Sequence, residues 1–313
     1  MRSTPSRPGA KNSPNRRTGV LTLAAATLAV TAGTITANSA VANPLWPGGP
    51  DLPSGSSSGA AAAVPQPAEG AAPMANPPAL PAANFAAPNI SPGDGDVVGV
   101  AEPIIINFKE PVADHATAEA AIRITSSNPV EGHFYWEGDK QVRWRPEQFW
   151  PAQTAITVEA GGTTVAYSVG DEVIATADDA THMITVTRNG EVIKTMPTSM
   201  GKPGHETPNG TYYVGEKNRK MIMDSSTYGV PVDDPQGYKL EVEYATRLSW
   251  NGIFVHAAPW SLAQQGVSDA SHGCLNVSTE DAQWFMENSQ KGDPVVVVNS
   301  IGTFTGDGMS DWN

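Results

Sequence analysis

Apolar and polar residues alternate in short runs along most of the chain, and Gly, Pro and Asn punctuate the runs. Between 91 and 168 such runs stand at 103–108, 121–124, 132–136, 141–144 and 155–158. Their length and spacing predict a small β-sandwich, with Glu137-Gly138-Asp139-Lys140 as a tight turn between two aromatic-bearing strands. Arg143-Trp144-Arg145 reads as the ordinary alternation of a half-buried strand, and this region shows no chemistry of its own.

After Asp171 the pattern stays β-like and becomes denser. Runs at 183–187 and 191–195 flank Asn189-Gly190, whose residues tolerate the positive φ of a two-residue hairpin turn. Further strands are predicted at 210–214, around 221–223 and at 253–256, and Val295 to Val298 read as a fully buried strand. One stretch has helical period, from Ser278 to Glu287. A hydroxyl and two acids open it, and Ala282, Phe285 and Met286 form its apolar face.

The ends differ from this pattern. Residues 1–42 have a basic start ending at Arg16-Arg17, an apolar stretch from Val20 to about Val30, and Ala40-Val41-Ala42, which fits a cleavage site. They read as a signal peptide, or as an anchor left uncut in the membrane. Residues 43–90 are rich in Pro, Ala, Gly and Ser and read as a disordered tether, with a reach of at most roughly 140 Å in extended polyproline form for the stretch from Asn43 to Pro88. Two domains follow, at 91–168 and 169–300. A tail at 301–313 carries Trp312, an aromatic expected to dock between them.

Charge narrows the partners. The 313 residues carry 19 basic and 32 acidic side chains, a net −13, and the five basic residues before Pro44 have no acids among them. Such a body repels nucleic acid, so no nucleic-acid partner is expected.

The chain has a single cysteine, which excludes an internal disulfide framework, a Cys-rich zinc module and an iron–sulfur cluster. That residue, Cys274, lies in Ser271-His272-Gly273-Cys274-Leu275-Asn276, and His256 lies eighteen positions upstream at the end of an apolar strand. A thiol attacks only as its proton leaves, and His256 is the expected supplier of a field that lowers the thiol pKa. Gly273 is the residue expected to let backbone N–H groups approach an oxyanion. An unpaired thiol is at risk of oxidation in an exported protein, which favours a chemical role.

The segment Ile253-Phe254-Val255-His256 followed by Ser271-His272-Gly273-Cys274-Leu275-Asn276 resembles the active-site signature of the L,D-transpeptidases, the YkuD-type cysteine enzymes of peptidoglycan. Thr207-Pro208-Asn209-Gly210-Thr211-Tyr212 and the lid-like stretch from Met221 to Tyr238 match as well, and the sandwich is similar to the immunoglobulin-like domain of larger members. The resemblance covers about 171–300. It implies a mainly β chain: an immunoglobulin-like β-sandwich, then a YkuD-type β-rich catalytic domain with one or two short helices.

The resemblance further implies an acyl transfer without a cofactor or metal. Cys274 would attack the third-residue carbonyl of a donor tetrapeptide stem and release the terminal D-Ala. An amine of a neighbouring stem would resolve the thioester into a 3→3 cross-link, and a β-lactam of the carbapenem type would acylate the same sulfur. His256 would be base and then acid, N–H groups around Gly273 and Cys274 the oxyanion hole, and Tyr238 a lid hydroxyl that assists.

Where the family often has Gly or Ser, this chain has Ala257, so only its carbonyl can orient the imidazole. His272 is read as a catalytic-site residue that contacts substrate or supports the thiolate, or else as a brace of the turn. Asn276 is read as a brace of the loop, Ser271 as bonded locally or lining the site, and Met223 and Trp260 as walls of the crevice. His115, His133, His182 and His205 read as surface residues. Three rivals stand beside this reading: a zinc hydrolase using Cys274, His272 and His256, a non-catalytic wall-binding protein, and a hydrolase of the same stems.

Overall fold

The computed structural model describes residues 78–313. The leader and most of the tether lie outside the described residues. Among the described residues, no helix is long and apolar enough to cross a membrane.

The first domain is a sandwich of two four-stranded sheets. Its elements are β1 (Asn89–Ser91), β2 (Val97–Val98), β3 (Ile104–Asn107), α1 (His115–Ala120), β4 (Ile122–Ser126), β5 (Gly132–Trp136), β6 (Gln141–Pro146), β7 (Ala155–Ala160) and β8 (Thr163–Val169). The sheets run β1-β3-β6-β5 and β2-β8-β7-β4. Period-two alternation builds the core: Ile104 and Ile106 on β3 and Ile156 and Val158 on β7 point inward to Trp144 and Trp150, while their neighbours face out. The chain joins this core before residue 91. Phe85 packs edge-on against Phe108 at 4.8 Å, and β1 pairs with β3, although the composition of the stretch reads as tether. Helix α1 is also absent from the sequence reading. Its Asp114 cap, which accepts from the Thr117 N–H, and its run of alanines were its signal.

The second domain holds β9 (Val173–Asp178), β10 (Met183–Arg188), β11 (Glu191–Pro197), β12 (Gly210–Tyr213), β13 (Lys217–Asp224), β14 (Lys239–Arg247), β15 (Phe254–Ala257), β16 (Leu275–Val277), α2 (Thr279–Asn288) and β17 (Pro294–Val298). One sheet runs β11-β10-β9-β17-β12. The valine run of β17 lies between two neighbours in that sheet, which explains its unbroken apolar character. Asn189 and Gly190 turn β10 into β11 with φ of 51° and 83°, as a two-residue hairpin demands.

The other sheet, β13-β14-β15-β16, carries the site. Strands β15 and β16 pair in parallel with Val255 opposite Leu275 and His256 opposite Asn276. Helix α2, capped by Ser278, presses Ala282 and Phe285 into the core shared with Val255 and Ala257. Strands β13 and β14 form a long antiparallel ribbon, but only Thr246 and Arg247 of β14 pair with β15. The rest of the ribbon stands free of that pairing, and residues 225–238 close its end.

The tail occupies the junction of the domains. The Trp312 Nε1–H donates to the Ala101 carbonyl at 2.8 Å, and its ring lies edge-on to Phe149 at 4.7 Å. Asp311 accepts from Arg143 of the sandwich at 2.8 Å, from the Tyr213 hydroxyl at 2.6 Å, and from the Tyr135 hydroxyl. Arg143 is thus an interdomain clamp and not an ordinary strand residue, because its guanidinium is buried against a carboxylate 168 positions away.

Candidate active site

Strand β15 alternates its side chains, so His256 and Ala257 face opposite sides of the sheet. His256 faces a cavity that it shares with Cys274, His272, Ser271 and Asn276. Met223 and Leu240 of the ribbon and Tyr238 of the segment that closes it wall the same cavity, and Trp260, 56% exposed, stands at its edge with its ring 6.1 Å from that of His256. Ala257 does not reach the cavity, since its methyl is in the core with Val255 and Leu275. Its contribution is its carbonyl, 2.9 Å from His256 Nδ1. A carbonyl can only accept, so Nδ1 carries the proton and Nε2 keeps the lone pair that a base needs.

Register explains how residues eighteen positions apart meet. His256 lies opposite Asn276 in the parallel pair, and Cys274, two positions before Asn276, lines the same cavity. Cys274 is 7% exposed and packs with Met223, Val242, Ala245 and Phe254. Its sulfur lies 3.4 Å from the Gly252 carbonyl, to which the thiol donates.

The resting charge state differs from the expectation. Burial pushes the Cys274 thiol up to about 11, only partly offset by the Phe254 N–H, and burial pushes His256 down to about 4 despite its bond to the Ala257 carbonyl. Desolvation outweighs mutual attraction when both members of a pair are enclosed. Both shifts favour a neutral thiol and a neutral imidazole. Ultraviolet titration of the free protein should show no thiolate band at pH 7 and a band that rises as pH approaches 11. A full thiolate band at neutral pH, lost in Cys274→Ala, would contradict this.

The turn before the cysteine is braced on several sides. Ser271 Oγ donates to the Cys274 carbonyl at 2.6 Å and accepts the Gly273 N–H at 3.0 Å. This spends the Gly273 N–H, which was expected to face an oxyanion. Gly273 is required by its φ of 114°, in the region closed to side chains, and not by a close approach, because an added Cβ would meet nothing nearer than 3.7 Å. Thr207 Oγ1 donates to the Gly273 carbonyl at 2.8 Å and accepts the Gly201 N–H at 3.1 Å, so the Thr207-Pro208 motif holds the catalytic turn from behind. Asn276 exchanges backbone bonds with Ser199, each 3.0 Å, and its amide reaches Ser261 Oγ at 3.3 Å.

Tyr238 leans on His272 with ring centroids 5.2 Å apart, and its backbone joins Ser225 through the N–H to Ser225 Oγ bond and the carbonyl to Ser225 N–H bond, both 2.9 Å. His272 meets His205 edge-on at 4.8 Å, and its Nε2 accepts from the Lys202 ammonium at 3.1 Å. Burial, and then the charge of Lys202, keep His272 below its usual pKa and hence neutral. Lys202, His205 and Gln236 are members of this cluster that sequence reasoning did not select. No local motif marks them, and the fold alone brings them from 34 to 70 positions away.

Of the remaining histidines, His133 is a surface residue as expected, whereas His115, His182 and His205 are half-buried. His205 abuts His272, His115 stacks on Trp136 at 3.6 Å, and His182 lies with Asp179 and Asp269 in a group whose ligand-type atoms are within 4.8 Å of one another. His133 is exposed and lies 2.8 Å from Glu147. Cys274, His272 and His256 do not gather as a ligand set: His256 Nδ1 faces a carbonyl and His272 Nε2 faces an ammonium.

A buried lone thiol sharing a cavity with a tautomer-locked imidazole, walled by a β-ribbon, defines a cysteine enzyme built behind a β-sandwich. Residues 77–165 match the bacterial Ig domain, and 172–297 match the L,D-transpeptidase catalytic domain. L,D-transpeptidase 2 of Mycobacterium tuberculosis is 51% identical over 247 residues, covering 74% of this chain and 60% of that protein. L,D-transpeptidase 1 of the same species is 42% identical over 210 residues, covering 67% of this chain and 84% of that protein. A solved structure of L,D-transpeptidase LdtMt1 in complex with imipenem superimposes with a TM-score of 0.65 at 42% identity, covering 67% of this chain and 97% of that one. The chain belongs to the L,D-transpeptidase family.

Proposed function

We propose that this protein forms 3→3 cross-links in peptidoglycan. The Cys274 sulfur attacks the carbonyl of the L-centre of the third-residue diamino acid in a donor tetrapeptide stem, while its proton passes to His256 Nε2. The tetrahedral intermediate collapses to a thioester as the His256 imidazolium protonates the departing D-Ala amine. The side-chain amine of a second stem then gives a proton to His256 and attacks the thioester, and the cross-link forms as the sulfur leaves. With the Gly273 N–H spent on Ser271, the N–H of Cys274 itself serves as the backbone donor for the oxyanion.

The observation that carries this reading is the shared cavity of Cys274 and His256 with Nδ1 held by the Ala257 carbonyl, which leaves Nε2 free to take a proton. Met223, Tyr238 and Trp260 wall the seat of the stem, with His272, Ser271 and Asn276 at its floor. The imipenem complex of LdtMt1 supports acylation of Cys274 by a carbapenem. Residues 1–42 direct export to the cell envelope, cut or retained as an anchor, and the tether sets the reach to the wall, where cross-linking maintains cell shape.

Incubation with a disaccharide-tetrapeptide and mass analysis of the products tests the reading. Cross-linked dimer with release of D-Ala is the expected product. Shortened monomer alone would assign hydrolysis of the same stems, and an unchanged substrate would overturn the catalytic reading.

A further inference from the structure

Lys202 sits on a rigid turn beside the catalytic loop. Its backbone N–H donates to the Ser271 carbonyl at 3.0 Å and its carbonyl accepts from the His205 N–H at 2.8 Å, so the base of the side chain is fixed at both ends. The ammonium bonds to His272 Nε2 at 3.1 Å and to Gln236 Oε1 at 3.0 Å. Both acceptors are neutral. Lys194, Lys220, Lys239 and Lys291 each meet a carboxylate, whereas Lys202, like Lys109, Lys140 and Lys217, makes no ion pair among the described residues, and of these four it is the one bonded to a residue that lines the cavity. Its positive charge has no ion-pair partner and lies 3.1 Å from Nε2 of His272, a residue that lines the reaction cavity. In a chain of net charge −13 such a local charge opposes the field of the body, which repels anions.

We propose that Lys202 is the receptor for the terminal carboxylate of the donor stem, an inference that rests on the cross-linking reading. The donor ends one residue beyond the attacked carbonyl, so its carboxylate lies roughly one peptide unit, about 4 Å, from the reacting carbon. An ammonium has three N–H donors, and two are used here, which leaves one for substrate. The charge has a second consequence. An acceptor amine is cationic until it loses its proton, and Lys202 repels it from the seat of the leaving D-Ala. Donor and acceptor are thereby sorted by the sign of their charge.

The test compares a tetrapeptide donor ending in a free carboxylate with the same donor ending in a carboxamide, for the wild type, Lys202→Gln and Lys202→Arg. A charge-assisted hydrogen bond predicts that the wild type prefers the carboxylate by roughly 10- to 100-fold in kcat/KM. Lys202→Gln should lose that preference, chiefly through a raised KM for the carboxylate donor, and Lys202→Arg should keep most of it. A role limited to holding His272 would lower both donors together and leave the ratio unchanged. A wild-type ratio near one, or a Lys202→Gln ratio equal to that of the wild type, overturns the proposal alone. Failure of the wild type to release D-Ala from the carboxylate donor and D-alaninamide from the carboxamide donor overturns the cross-linking reading and this inference with it.

Discussion

Replacement of His256 by alanine is expected to lower the rate of Cys274 acylation by about 10²- to 10⁴-fold at neutral pH, the range a positioned general base supplies. The upper end follows from the thiol itself. With a pKa of about 11, roughly one sulfur in 10⁴ is ionised at pH 7, and without the imidazole only that fraction can attack. The pH profile is the sharper signature. In the wild type the base is neutral above about pH 4, so acylation by an uncharged reagent should be nearly level from about pH 6 to 9. In the variant the rate should climb about tenfold per pH unit toward 11. Cys274→Ala has no nucleophile at all and should lose more than about 10⁴-fold at every pH. Stopped-flow acylation by a carbapenem across pH checks all three, and parallel profiles for the wild type and His256→Ala would contradict the general-base assignment.

Asp311→Asn is expected to be the most destabilising single change outside the catalytic core. The carboxylate is enclosed, with its side chain 1% exposed, and it satisfies the Arg143 guanidinium together with two tyrosine hydroxyls. Loss of its charge leaves a buried cation uncompensated, which costs about 3–5 kcal/mol. For a folded region of this size that corresponds to a fall in melting temperature on the order of 10 °C. Glu241→Gln is the control, because its pair with Lys220 has both side chains more than half exposed and contributes less than about 1 kcal/mol. Calorimetry of the two variants should separate them clearly, and equal melting temperatures would show that the tail does not hold the domains. Truncation after Ser300 should cost more than Asp311→Asn, since it also removes Phe304, stacked on Tyr212 at 4.0 Å, and Met309 from the core.

The parts of this structure that could be read from sequence are those governed by neighbours along the chain. The Asn189-Gly190 turn, the Ser278 cap of α2 and the valine run of β17 each depend on a few adjacent residues. The Cys274 motif and the carbonyl role of Ala257 were legible for the same reason. Strand β14 was passed over, although Leu240 and Val242 alternate with Glu241 and Glu243, because its charges resemble a loop when the partner strand is unknown. Lys202 and Gln236 meet His272 only through the fold, and Asp311 meets Arg143 only because the tail crosses to the sandwich. Burial was the other hidden quantity. Sequence places an imidazole near a thiol and suggests an ion pair, but only the enclosed geometry shows that desolvation favours both neutral forms.

The account rests on Cys274 carrying the acyl group, and rapid quenching with intact-mass analysis during turnover of a tetrapeptide donor measures that directly. The account predicts a population heavier by the donor stem less its terminal D-Ala, with the added mass on the peptide that contains Cys274, and no such population for Cys274→Ala. Product formation by Cys274→Ala, or acyl mass found on any other residue, would contradict it.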